Sequence, residues 1–213
     1  MSEPRNKAVA QETVARFYEG VCAAVHRVDN RMPCVVGPTP YYKVWQLNGS
    51  MILRDGDGSP MKGIVYTFDF YDPWDFVTSD AEDGYAYPDE CAALCLTHST
   101  RAIITITTAH TALSYTGRRY PCSVAFRGWV PLFCPRGGSQ IIRVDRSWLR
   151  HLLDAYPVAL SREADAPVFC NQWGVKRSVT AARGRLAYAE DVATLLDSGG
   201  IHSAVWMWRS YRK

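Results

Sequence analysis

No apolar run in this chain approaches the roughly 20 residues needed to cross a bilayer. The first residues (MSEPRNK) carry no apolar core of a secretory leader, so on its face the chain reads as soluble and intracellular. There is no C-x-x-C, no H-x-x-x-H and no Cys/His cluster at ligand spacing, which leaves no metal centre to propose. A G-x-G-x-x-G fingerprint and a Walker loop are also missing, which disfavours nucleotide binding. With no nucleophile elbow, a Ser-His-Asp hydrolase is disfavoured too. The net charge is only +3, and Arg occurs in pairs (Arg118 with Arg119, Arg209 with Arg212) rather than in runs. Nucleic-acid binding through phosphate contacts normally requires a clustered basic face, so it is excluded as a leading reading. Seven Cys, an odd number, fit buried thiols better than a disulfide framework. The turn 55–58 (DGDG) lacks the spacing and closing Glu of a calcium loop.

What is present is an alternation of helical and strand-like segments over 213 residues, enough for one domain or part of a larger one. Residues 7–30 repeat apolar side chains (Val14, Phe17, Val21, Val25, Val28) at helical steps, predicting an amphipathic helix. The run 32–37 predicts a buried parallel strand, and 63–70 a second. A long excursion spans about 78–166. Within it, 88–96 predicts a short helix, with Cys91 and Cys95 on one face, and Asp145 is the expected N-cap of another helix. Residues 166–172 and 201–208 predict further strands, with a helix over 184–197 closed by Gly199 and Gly200. This order implies βα units and a parallel sheet.

Two stretches carry more than fold. Residues 63–76 read GIVYTFDFYDPWDF, and residues 166–175 read APVFCNQWGV. Together they resemble strands six and seven of the cellulase-like glycoside hydrolases, family 5 in that classification. That family ends strand six with His-x-Tyr-x-Pro and strand seven with Glu-(Phe/Trp)-Gly. Here Tyr71, Pro73, Trp74 and Gly174 match, while Asp69 replaces the His and Gln172 replaces the Glu. The opening Ser2-Glu3-Pro4 is similar to the Asn-Glu-Pro that ends the family's strand four.

The resemblance implies a (β/α)8 barrel of which only the second half, from the end of strand four to strand eight, is present. Such a barrel needs eight strands and about 250 residues. A single partial catalytic domain over 1–213 is therefore expected, with two open sheet edges that another chain could complete.

The family hydrolyses O-glycosyl bonds with retention, using carboxyl groups about 5–5.5 Å apart. The resemblance assigns Glu3 as acid/base and puts Gln172 at the nucleophile position. An amide carries no negative charge, so impaired or absent turnover is expected. Asp69 is a candidate rescue carboxylate. Tyr71, Trp74, Trp173, Trp206 and Trp208 are the expected sugar-stacking aromatics. No cofactor is implied, and the partner is a carbohydrate rather than nucleic acid or membrane. Three readings follow: an impaired glycosidase, a carbohydrate-binding pseudoenzyme, or a structural half-barrel. The family is largely exported, which leaves the compartment open.

Overall fold

The computed structural model describes residues 9–78, 86–95, 120–121 and 138–206. Helix α1 spans Gln11–Val28, with Glu12 in its first turn and His26 and Arg27 in its last, as the helix dipole favours. It packs through small residues: Ala15 and Cys22 are buried, whereas Phe17 is 67 % and Val28 90 % exposed. The apolar stripe expected to face the core thus lies partly in solvent. Small side chains let the helix axis approach the sheet closely, and the bulky stripe is turned aside.

Strands β1 (Cys34–Val36), β2 (Ile64–Phe70), β6 (Val168–Trp173) and β7 (His202–Val205) form one sheet in the order β1-β2-β6-β7, with every neighbouring pair parallel. Side chains alternate across it. Ile64, Tyr66, Phe68 and Phe70 of β2 are almost fully buried beneath helices. The Tyr66 hydroxyl accepts the Leu53 backbone N–H at 2.9 Å, satisfying a buried donor.

A second, three-stranded sheet is built from β3 (Asp89–Cys95), β4 (Tyr120–Pro121) and β5 (Gly138–Val144). The expected helix at 88–96 is instead β3, paired antiparallel with β5 from Asp89↔Val144 to Cys95↔Gly138. A Cys spacing of four fits a helical turn and a strand face alike, and long-range pairing decides between them. The apolar run 103–107 (IITIT), whose sequence fits a strand or a buried helical segment alike, lies outside the described residues.

After a short α2 (Trp74–Val77), helix α3 (Arg146–Leu153) begins at Asp145, whose carboxylate accepts the N–H groups of Ser147 and Trp148 as expected. A π-helical turn over Asp154–Val158 leads into α4 (Ala159–Ala164). The last part of the long excursion is therefore packed helix, with Trp148, Leu149, Leu152 and Leu160 in the core.

Helix α5 (Arg185–Ser198) buries Tyr188, Val192, Leu195 and Leu196. Tyr188 meets Phe76 and Tyr87 at centroid distances of 5.3 and 5.4 Å. At its N-terminus Gly184 has φ +88°, and a Cβ there would fall 1.6 Å from the Tyr87 carbonyl oxygen. Only glycine fits. Among the described residues no helix is long and apolar enough to cross a membrane.

Candidate functional site

Because the four strands are parallel, their C-terminal ends lie along one edge of the sheet. The segments that follow gather there: the loop from Gly37 to Lys43 after β1, Tyr71 to Trp74 after β2, and Trp206 after β7. The loop after β1 is fitted tightly, since a Cβ on Gly37 would sit 2.6 Å from the Tyr42 ring. Its chain runs beside β2, with the Asp69 N–H donating to the Tyr42 carbonyl at 2.7 Å and Lys43 bridging Asp69.

Asp69 and Gln172 are register partners at the ends of β2 and β6. The register shifts just before them: Phe68 pairs with Cys170, yet Asp69 pairs with Gln172, leaving Asn171 as an extra residue. Such a bulge redirects side chains. Here the Asn171 Nδ2 donates to Asp69 Oδ1 at 3.2 Å. One step outward, the Tyr71 hydroxyl donates to Gln172 Oε1 at 3.1 Å. The two bonds make a polar strip across the adjacent strand ends. Asp69 itself is buried, at 6 % exposure.

The aromatic part stands beside this strip. Tyr71 and Trp74 meet edge to face at 6.2 Å, and Lys43 Nζ lies 4.4 Å from the Trp74 ring centre. Trp74 remains 41 % exposed. Trp206 is also exposed, and its backbone N–H donates to the Trp173 carbonyl at 2.7 Å. Trp173, expected among the sugar-facing rings, is instead buried, and its indole N–H donates to Ser203 Oγ at 3.1 Å. Parity at the end of the bulged strand turns it toward the core. Glu3 and Trp208 lie outside the described residues.

Electrostatics separate two neighbouring carboxyls. Burial pushes Asp72 up to about 6, with Lys43 pulling the other way. Tyr188 and Tyr156 are both raised, by burial first and then by the Asp72 charge. The Cys170 thiol is pushed up by burial and then by the Asp69 charge, which makes it an inert core group. Cys22, Cys34 and Cys170 are free thiols. Among the described residues no cluster of His, Cys, Asp and Glu could hold a metal ion. Lys43 and Asn171 are site residues that sequence reasoning passed over. Asn171 adjoins Gln172, but the bulge that turns it to Asp69 leaves no local signature.

A parallel α/β sheet with its polar and aromatic residues gathered at the strand C-termini is the arrangement of (β/α)8-barrel enzymes. Solved structures of that class are similar to this chain in fold. The cellulose synthase subunit Z of Clostridioides difficile matches 99 % of this chain and 52 % of its own, with TM-score 0.57 and 15 % identity. Thermotoga maritima Cel5A in complex with cellobiose matches 98 % of this chain and 51 % of its own, with TM-score 0.59 and 13 % identity. The same enzyme with mannotriose gives 0.57, also at 13 % identity, over 94 % of this chain and 48 % of its own. The chain thus spans about half the length of the structures it matches. No family model matches the sequence, and no curated protein does. The likeness is one of fold, that of cellulase-type enzymes.

Proposed function

We propose that this chain is a carbohydrate-binding, glycoside-hydrolase-like protein built on half of a (β/α)8 barrel, with β-linked oligosaccharides as ligands and little or no hydrolytic turnover. The observation that carries this is the strip Asn171–Asp69 and Tyr71–Gln172 beside the exposed Trp74 ring, all at the strand C-termini. Exposed aromatic faces take up the C–H surfaces of a sugar, and fixed hydrogen-bonding groups orient its hydroxyls. The ligand class is suggested by the cellobiose and mannotriose in the similar structures.

Catalysis is the weak point. Retention needs an anion to attack the anomeric carbon, and Gln172, at the proposed nucleophile position, is a neutral amide held by Tyr71. Glu3 is proposed as the acid/base position on the strength of the sequence resemblance. Tyr71, Trp74, Trp206 and Trp208 are proposed as sugar contacts. Trp173 would contribute by supporting them from below.

One observation favours a second reading. Asp69 stands opposite Gln172 in the strand register, so a carboxylate lies one strand away from the position that lost one. If Asp69 acts as the nucleophile, purified protein turns over an aryl β-glycoside and Asp69→Asn abolishes it.

The primary test is titration of cellobiose or mannotriose by intrinsic Trp fluorescence and calorimetry. Saturable binding that falls at least tenfold in Trp74→Ala, without release of reducing sugar, is expected. A loss of one stacked ring is worth about 1–1.5 kcal/mol, which is that tenfold. Wild-type protein that binds neither sugar overturns the reading.

A further inference from the structure

Helix α1 runs back alongside the strand that follows it, and the two are tied near the C-terminal end of β1. There the Gln11 side-chain amide donates to the Thr39 carbonyl, and its oxygen accepts the Thr39 N–H at 3.4 Å. Positions further along both elements can be counted from that contact. From Gln11 to Cys22 the helix advances about 16 Å, at about 1.5 Å per residue. From Thr39 back to Cys34 an extended chain covers about 16 Å, at roughly 3.3 Å per residue. The two cysteines therefore meet.

The side chains agree with this count. Cys34 and Val36 share the face of β1 that turns to the helices, opposite the exposed Val35, and Cys34 packs against the core in which Cys22 is buried. One helical turn beyond Cys22, the His26 ring lies 3.1 Å from where a Cβ on Gly63 would stand. The Gly63 carbonyl in turn takes the Cys34 N–H at 2.9 Å. The two thiols also sense each other: burial is the first cause pushing Cys22 up to about 12, and the Cys34 side chain is the next. Both are free thiols.

We propose that Cys22 and Cys34 are a reversible thiol–disulfide couple which, when oxidised by a small disulfide such as glutathione disulfide, fastens α1 to β1. Cys34, the less buried of the two, reacts first. Its sulfur bonds one glutathione sulfur, the S–S bond of the oxidant breaks, and one glutathione thiol leaves with the proton. Cys22 then attacks the Cys34 sulfur and expels the second glutathione thiol. Two protein thiols are thereby oxidised, and one glutathione disulfide is reduced to two thiols. The order follows from the surroundings, since Cys22 at 1 % exposure is out of reach of a dissolved oxidant. Once Cys34 is capped, its share of the upward push on Cys22 is gone, which favours the second step. With Gln11–Thr39 at one end and the disulfide at the other, α1 is held along the whole of β1. The loop after β1 is the one that brings Lys43 to the Trp74 ring.

The test is peptide mapping of the folded wild-type chain after equilibration with glutathione disulfide, alkylation of remaining thiols and trypsin digestion without reductant. Residues 17–27 and 32–43 are separate tryptic peptides, each with one of the two cysteines. A linked species of these two peptides is expected, separated by dithiothreitol. The oxidised chain is expected to melt about 6–12 °C above the reduced one, because the cross-link restricts the unfolded chain. Cys22→Ala is expected to keep Cys34 as a stable glutathione adduct and to lose the thermal gain. The absence of that link in the folded chain, or a link formed only in denaturant, would overturn the proposal. So would a link that leaves the melting temperature unchanged, or a thermal gain that persists in Cys22→Ala. Sugar binding is read in none of these arms, so a negative result leaves the saccharide reading standing.

Discussion

The two faces of the parallel sheet differ in how completely they are used. On the helix side, Tyr66, Phe68 and Phe70 are essentially inaccessible, and Phe76, Tyr87 and Tyr188 interlock behind them. Two hydroxyls there are paired: the Tyr188 hydroxyl donates to the Asp72 carbonyl at 3.1 Å, and the Tyr87 hydroxyl to Asp191 at 2.7 Å. On the other side exposure is uneven: Val35 of β1 is largely exposed, whereas Thr67 and Asp69 of β2 are buried, and the polar strip sits at the strand ends. The densest packing therefore lies on one face.

The largest effect should come from cutting into the finished face. Tyr188→Ala is expected to cost about 3–5 kcal/mol, by analogy with truncation of other buried aromatics, and denaturant titration measures it. Val35→Ala, at an exposed position, should cost under about 0.5 kcal/mol. Equal costs would erase the contrast between the faces.

The next effect is electrostatic and belongs to the boundary between them. Asp72 binds its proton more tightly when folded, at about 6, than an ordinary carboxyl near 4 does in the unfolded chain. The folded state therefore holds more protons between those values, and stability falls as pH rises through that window, then levels off. The fall is up to about 3 kcal/mol for a two-unit difference. Thermal unfolding followed from pH 4 to pH 7 should show this component, and Asp72→Asn should flatten it and raise the melting temperature at pH 7.

A smaller effect than these tests the hydroxyl of the Tyr188 ring. Tyr188→Phe removes one hydrogen bond to the Asp72 carbonyl and should cost about 1 kcal/mol, again by denaturant titration.

Much of this division was legible in the residues. Short, largely continuous apolar runs located β1, β2, β6 and β7, and the Asp145 cap and the Gly199–Gly200 stop bounded two helices closely. What escaped has physical causes. The pairing of β3 with β5 joins residues some 50 apart, which no local pattern at 88–96 discloses. The α1 stripe announced a buried face, yet the fold uses Ala15 and Cys22 instead, because contact distance and not hydrophobicity alone selects the packed side. At the site, the strip could be placed at strand ends from Asp69, Tyr71 and Gln172. The Asn171 bulge and the reach of Lys43 to Trp74 depend on tertiary register. Trp173 points to the core for the same reason.

The most direct measurement of the central claim compares wild type with Gln172→Glu on a nitrophenyl β-glycoside. Each is also titrated with cellobiose. The account predicts saturable binding by both, and wild-type hydrolysis indistinguishable from buffer. Wild-type turnover that survives Asp69→Asn would contradict it, because bond cleavage would then proceed without either carboxylate position the strip provides.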